Sequence, residues 1–422
     1  MLAVLRDHTF RSLKHRNYRL YFFGQIVSYT GTWMQSAALM WLVFDRTGDA
    51  FWPPLLLVAQ VGPTLLLGPF TGALADRRPK LRIVYATQVA FLASAVVLTL
   101  LVATNRYDPW AVLALMAVNG LIQSVDLPTR LAFVPDLVPK ADLINAVSLN
   151  SLLFNSARAV GPALAGGLFL LADWVVASGA LVGSRPVVVG AIWCFGLNAL
   201  SYLAVLAALR RITVPGNPRP APTAEPASAL DGVRYVLGRP PLAVLLALTG
   251  LLSVFGWPTL SLFPAYTKLA LQHAEKEYSL LVSSLGAGAL LAALTTATFG
   301  TVGRRRLFLA AGSTLAAGGL AGLTLAESLP TAAASGGLLG FGLILFLATG
   351  QSAMQLSVPD ERRGRVMALW AMTLSASAPV GHLAAGAAVT AVPVRAVFAG
   401  MAAGAGLVAM AAVGLAVGRR RA

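Results

Sequence analysis

Gly72-Ala73-Leu74-Ala75-Asp76-Arg77-Arg78-Pro79-Lys80-Leu81-Arg82 places one acid and four bases in a short turn between two long apolar runs, at about 52–75 and 81–104. A helix needs about 20 apolar residues to cross a hydrocarbon core roughly 30 Å thick, and each run meets that length. Two crossings joined by a basic turn are the pattern of a polytopic membrane protein.

Ten further runs flank these two, at about 20–45, 109–127, 143–172, 187–209, 240–266, 278–301, 305–326, 331–355, 364–391 and 394–418. The expectation is an all-α membrane protein of twelve transmembrane helices. Composition agrees: 57% of the 422 residues are hydrophobic and 11% are charged, against roughly a quarter charged in soluble chains. Mean hydropathy is +0.74. The net charge of +16 does not indicate nucleic acid, because the bases fall in short clusters between apolar runs rather than on one face. Cys194, the single cysteine, lies in an apolar run and is read as packing. The basic start, 1–19, is followed by a run too long for a signal peptide, so it is expected to remain as the first span.

The same bases orient the chain. With the N-terminus in the cytoplasm, Lys and Arg favour the inner loops over the outer by about four to one, as the positive-inside rule requires. Both termini are then expected in the cytoplasm, in a bacterial inner membrane. Pro215, Pro218, Pro220, Pro222 and Pro226 mark a linker that cannot span. The expected division is 1–211 as one six-helix bundle, 212–238 as linker with a short surface helix near 231–237, and 239–422 as a second bundle. Three matched pairs share one offset along the chain: Trp33 with Trp257, Lys80 with Arg304, and Val134-Pro135-Asp136 with Val358-Pro359-Asp360. Two parallel, pseudo-symmetric repeats about a central site are a transporter architecture.

The opening stretch resembles the cytoplasmic-loop signature of the major facilitator superfamily, with Pro79 in place of a glycine. Asn17-Tyr18-Arg19-Leu20-Tyr21, Gly31-Thr32-Trp33-Met34-Gln35-Ser36, Asp126-Leu127-Pro128-Thr129-Arg130 and Asp360-Glu361-Arg362-Arg363-Gly364-Arg365 are similar to the bacterial branch that includes the enterobactin exporter and drug-efflux permeases. The resemblance implies alternating access and a gating loop of Gly72, Asp76, Arg77 and Lys80, with Asp76 latching the eleventh helix. It also departs: Gly300 stands where the second half would carry the loop acid, and the antiporter signature of the fourth span lacks its arginine at Met116.

Polar residues recur at helical spacing inside spans: Gln25, Ser28, Thr32 and Gln35; Asn119, Gln123, Asp126 and Arg130; Ser148, Ser151, Asn155 and Arg158. Lipid offers such groups no partner, so each stripe faces protein or a watery path. Trp33 is a stacking or packing group. The family pattern of path-lining helices adds Trp257, Gln351 and Gln355. Arg158, deep in its span, is a candidate for attracting an anionic group. Asp45, Asp126 and His382 are the candidates for proton coupling, with Arg130 four residues on as a pairing partner for Asp126.

No GxxxxGK[ST] loop, metal-ligand cluster or nucleophile–base set stands out. The expectation is therefore no enzyme and no cofactor, with a proton gradient as driving force. The chain is read as a monomeric exporter of small organic molecules; lipid flippase, nutrient importer and non-transporting scaffold are the rivals.

Overall fold

The computed structural model describes residues 10–214 and 229–418, with side chains described except at 68–77, 144, 229–231, 302, 360–361, 364 and 416–418. Described residues are overwhelmingly helical. In chain order the helices are α1 (Arg16–Thr47), α2 (Trp52–Arg77), α3 (Lys80–Ala103), α4 (Pro109–Leu137), α5 (Leu143–Ala177), α6 (Pro186–Arg210), the short α7 (Ala229–Leu237), α8 (Pro240–Gly256), α9 (Pro258–Ala265), α10 (Glu275–Phe299), α11 (Arg305–Leu325), α12 (Leu329–Leu356), α13 (Asp360–Ala391) and α14 (Val394–Gly418). Ten spans among the described residues are long and apolar enough to cross a membrane, from Lys80–Ala103 to Val394–Leu415. The described part of α2, Trp52–Leu67, is a shorter apolar helix.

Helix starts follow local chemistry. Asp108 accepts from the backbone N–H of Trp110 at 3.0 Å and from that of Ala111, ahead of Pro109 at the first helical position. At α10 the Glu277 carboxylate reaches back to the Ala274 N–H at 3.1 Å.

The span expected at 240–266 is one membrane-length span, Pro240–Ala270, with a one-residue interruption of the helix at Trp257. Trp257 keeps helical dihedral angles, and the chain runs on as α9 and closes with a π turn at Tyr266–Ala270. Pro258 has no N–H to give, and its ring crowds the carbonyl four residues earlier, that of Val254. Gly381 of α13 approaches at this place: a Cβ there would lie 2.4 Å from the Val254 oxygen and 3.0 Å from Pro258 Cγ. The turn that lacks a proline N–H thus packs against a residue with no side chain.

The chain divides into two compact units, Met1–Arg46 with Ala59–Pro222, and Thr47–Val58 with Thr223–Ala422. In the first unit an aromatic core of Tyr18, Tyr21, Phe22 and Phe133 gathers α1 and α4, and the Tyr18 hydroxyl donates to the Ala146 carbonyl at 2.7 Å. In the second unit α10, α11 and α12 approach through small residues. A Cβ at Gly288 would fall 1.9 Å from the Gly337 carbonyl oxygen, so α10 and α12 touch backbone to backbone.

Candidate functional site

Asp126, on α4, is fully buried, and a lone carboxylate there would lose several kcal/mol of hydration. Three helices supply what replaces the water. Arg130, one turn on, forms an ion pair with its Oδ2. From α3, the Thr87 hydroxyl donates to Oδ1 at 2.6 Å and Gln88 Nε2 at 3.1 Å. Arg130 in turn donates through Nη1 to Gln25 Oε1 on α1 at 2.7 Å. Charge-assisted hydrogen bonds of this kind are about twice as strong as neutral ones.

The network is incompletely saturated. Gln25 Nε2, Gln88 Oε1 and Arg130 Nε are buried and make no hydrogen bond among the described residues, and the same holds for Asn119 Oδ1 elsewhere on α4. Each is costly in a dry interior and ready to bond a polar guest.

An aromatic chain extends the site. The Arg130 guanidinium stands 4.8 Å from the centroid of the Tyr29 ring. Tyr29 meets Phe154 edge-on at 5.6 Å, Phe154 meets Trp33 at 5.9 Å, and the buried Arg158 lies 5.8 Å from the Trp33 ring. Gln25, Tyr29 and Trp33 follow one another at four-residue steps on α1, as Phe154 and Arg158 do on α5, so each helix presents one face. The result is a strip of π-faces with a guanidinium at either end, suited to a flat aromatic or apolar group carrying negative charge. Tyr29, Phe154, Thr87 and Gln88 were not singled out from sequence; for Tyr29 the spacing with Gln25 and Trp33 held the signal.

Other candidates sit elsewhere. Thr32 shares a hydrogen bond with the Tyr202 hydroxyl at 3.2 Å, and Gln35 Oε1 accepts from Asn198 Nδ2 at 2.8 Å, so both turn to α6. Asn155 donates to its own helix, at the Ser151 carbonyl, 2.9 Å away. Asn119 is buried and Gln123 half-buried on α4. In the second unit Trp257 is half-buried between α8 and α9, Gln351 is exposed, and Gln355 is half-buried with its carbonyl accepting from Arg363 Nε at 3.1 Å. His382 is buried and shares a 2.8 Å hydrogen bond through Nδ1 with the Ser261 hydroxyl. Asp45 pairs with Arg185.

Of the loop residues, Lys80 is buried and donates to Asp136 Oδ2 at 2.9 Å, tying the start of α3 to the end of α4. The backbone of Gly72, Asp76 and Arg77 continues α2; their side chains lie outside the described set. Nearby in sequence to α5, Asp142 receives a strap from the segment before α1. Arg11 pairs with it, His15 Nε2 lies 2.6 Å from it, and the Ser12 N–H donates to Asn145 Oδ1 at 2.9 Å. The His15 hydrogen bond, with Arg11 beside it, holds the Asp142 carboxyl below its usual 3.8.

No group of three or more metal-ligating side chains occurs among the described residues.

Among curated relatives, the staphyloferrin A transporter of Staphylococcus aureus is 28% identical over 149 residues, 35% of this chain and 38% of its own length. The match spans about a third of the first two such relatives, since an MFS-type transporter of Bacillus subtilis is covered over 34%. Macrolide efflux protein A of Streptococcus pyogenes matches far more extensively, 22% identical across 87% of this chain and 89% of its own. Among solved structures, a bacterial homologue of the human lysosomal transporter Spinster superposes with a TM-score of 0.70 at 14% identity, covering 95% of this chain and 97% of that one. A bacterial homologue of the iron transporter ferroportin gives 0.68 at 16% identity, over 95% and 99%. Likeness at such identities speaks for the fold. Residues 7–421 match the family model described as transmembrane secretion effector, and with that match the chain belongs to the transmembrane secretion effectors of the major facilitator superfamily, a family of multi-pass membrane transporters rather than enzymes.

Proposed function

We propose that this transporter exports small organic molecules, of the drug or siderophore kind, out of the bacterial cytoplasm by alternating access, as a proton antiporter. Twelve crossings with both termini in the cytoplasm complete the reading, with Gly72, Asp76, Arg77 and Lys80 as the gating loop. The observation that carries it is the buried Asp126–Arg130 pair, held by Gln25, Thr87 and Gln88.

A buried acid locked to a base is a two-state element. While the pair is closed the carboxylate is charged and the guanidinium is occupied. A hydrogen-donating cargo group that takes the Asp126 carboxylate, its aromatic body on Tyr29, excludes a proton from the same oxygens, and a proton bound there excludes that group. Cargo and proton then compete for one pair, which is the requirement of antiport. Two relatives whose names state efflux, the macrolide protein and the multidrug pump Tap of Mycolicibacterium fortuitum, support the outward direction.

The test is transport in everted membrane vesicles with an imposed pH gradient and a panel of macrolides, dyes and siderophores. Accumulation driven by acid inside is expected, and Asp126→Asn is expected to keep cargo binding while losing the gradient dependence. Uptake into right-side-out cells, or lysolipid competition with every cargo, would replace this reading with an importer or a flippase.

A further inference from the structure

Away from the buried pair, the second unit carries a concentration of cations around the short helix α7. A cleft of 480 Å³ is lined by Arg234, Tyr235 and Arg239 of the α7 region and by Arg362 and Arg365 of α13. Tyr235 is buried, packed with Val236 against Met354, Val366 and Trp370. Over its ring stand two guanidinium groups, Arg239 at 3.8 Å and Arg362 at 4.8 Å from the centroid. A guanidinium stacked on a ring keeps its in-plane N–H donors free to point outward. Two such groups at one ring bring their donors to one cleft, and their mutual repulsion falls when an anion enters.

A second cavity adjoins the first along the chain. Pro240 and Pro241, the residues directly after Arg239, line a 260 Å³ groove with Val244, Leu248, Phe346 and Leu415. Arg306 is the one charged residue on its wall among those described. The groove is otherwise apolar, and Leu237, at the end of α7, is exposed. An arginine-lined cleft beside an apolar groove, at the end of a membrane helix, matches an amphiphile: phosphate in one, acyl chain in the other.

We infer that this pair of cavities binds one anionic glycerophospholipid, its phosphate held by Arg239 and Arg362 and an acyl chain laid along Pro241, Val244 and Leu415. The occupant ties α7 to α8 and α13. The site depends only on the chain lying in a bilayer and not on which cargo is carried.

Native mass spectrometry of the purified full-length transporter tests it, with dioleoyl phosphatidylglycerol, dioleoyl phosphatidylcholine and inorganic phosphate as probes. Phosphatidylglycerol is expected to be retained in preference to phosphatidylcholine. The double variant Arg239→Gln with Arg362→Gln is expected to weaken that retention about tenfold or more, since the charge-assisted hydrogen bonds to the phosphate are removed. Val244→Trp, which fills the groove and leaves the arginines, is expected to lower lipid retention as well while sparing phosphate. Thermal unfolding in phosphatidylcholine alone reports whether each variant is folded; if the double variant is not, Val244→Trp carries the test. Equal retention of both lipids, retention unchanged in the folded variants, or displacement of the lipid by millimolar phosphate would overturn the proposal, the last in favour of a soluble phosphate ligand.

Discussion

The two units solve the same solvent problem with different residues. In the first, buried ionisable groups gather: Asp126, Arg158 and Lys80 are each at most 3% exposed. Asp126 and Lys80 are held by side-chain bonds among α1, α3 and α4, and Arg158 of α5 stands at the Trp33 ring of α1. In the second, His382 is the one buried ionisable residue outside tyrosine among those described, and α10 to α12 instead close through glycine and alanine. Lipid is as apolar as leucine, so helices there gain little from hydrophobic burial and must associate by close backbone contact or by polar bonds. Small-residue contact gives a stiff bundle. Charge pairs give one that a proton or a cargo can re-bond, which is why the candidate machinery falls in the first unit.

That contrast can be broken at several points. The largest effect is expected from Asp126→Ala, which leaves Arg130 buried without its acid: a loss of about 3–5 kcal/mol in stability, read as thermal unfolding in detergent, together with loss of transport. Asp126→Asn keeps the Thr87 hydrogen bond but also leaves Arg130 without its acid, so it is expected to recover only part of the stability and none of the proton coupling. Normal gradient-driven efflux by that variant would remove Asp126 from the mechanism.

Next comes the small-residue seam. Gly288→Ala brings a methyl to 1.9 Å from a carbonyl oxygen, and overpacking of this kind costs about 1–3 kcal/mol. A lowered unfolding temperature with cargo affinity intact is expected; an unchanged temperature would mean that α10 and α12 do not meet so closely. Smaller still is His382→Gln, which trades the Ser261 hydrogen bond for another and is expected to change stability by about 1 kcal/mol or less and to leave proton coupling in place. Coupling lost in that variant would move the proton site into the second unit and overturn the comparison.

The smallest effect concerns the strap at Asp142. Its carboxyl titrates lower in the folded chain than when unfolded, so the strap's contribution is fully present above the ordinary value of 3.8 and is lost as pH falls through the folded value. Protection of the amides at residues 10–15, relative to their intrinsic exchange rates at the same pH, is expected to fall in acid below that point, and Asp142→Asn to show the lower protection at neutral pH as well. Protection independent of both would mean that Arg11 and His15 do not hold the segment.

Much of this was legible along the chain. The spans near 81–104, 187–209 and 331–355 fall on α3, α6 and α12, because hydropathy is a local sum over about 20 residues. The Asp126–Arg130 pair was legible too, since four residues make one helical turn. The span at 240–266 was legible as Pro240–Ala270; that Gly381, more than a hundred positions on, lies against the turn at Pro258 was not. The polar stripe of α1 was read as one face, and it divides: Gln25 goes to Arg130 of α4, whereas Thr32 and Gln35 go to α6.

Sequence alone therefore determined the solvent, the helical class and the family, since apolar length, basic turns and short motifs need no neighbour to be read. Only the tertiary structure decided which polar groups bond each other. Lys80 finds Asp136, Gln25 finds Arg130 and Phe154 joins Tyr29 to Trp33 because helices rotate about their axes until small residues meet and no buried charge is left bare. That rotation is set jointly by all the helices in contact and is written in no single stretch of the chain.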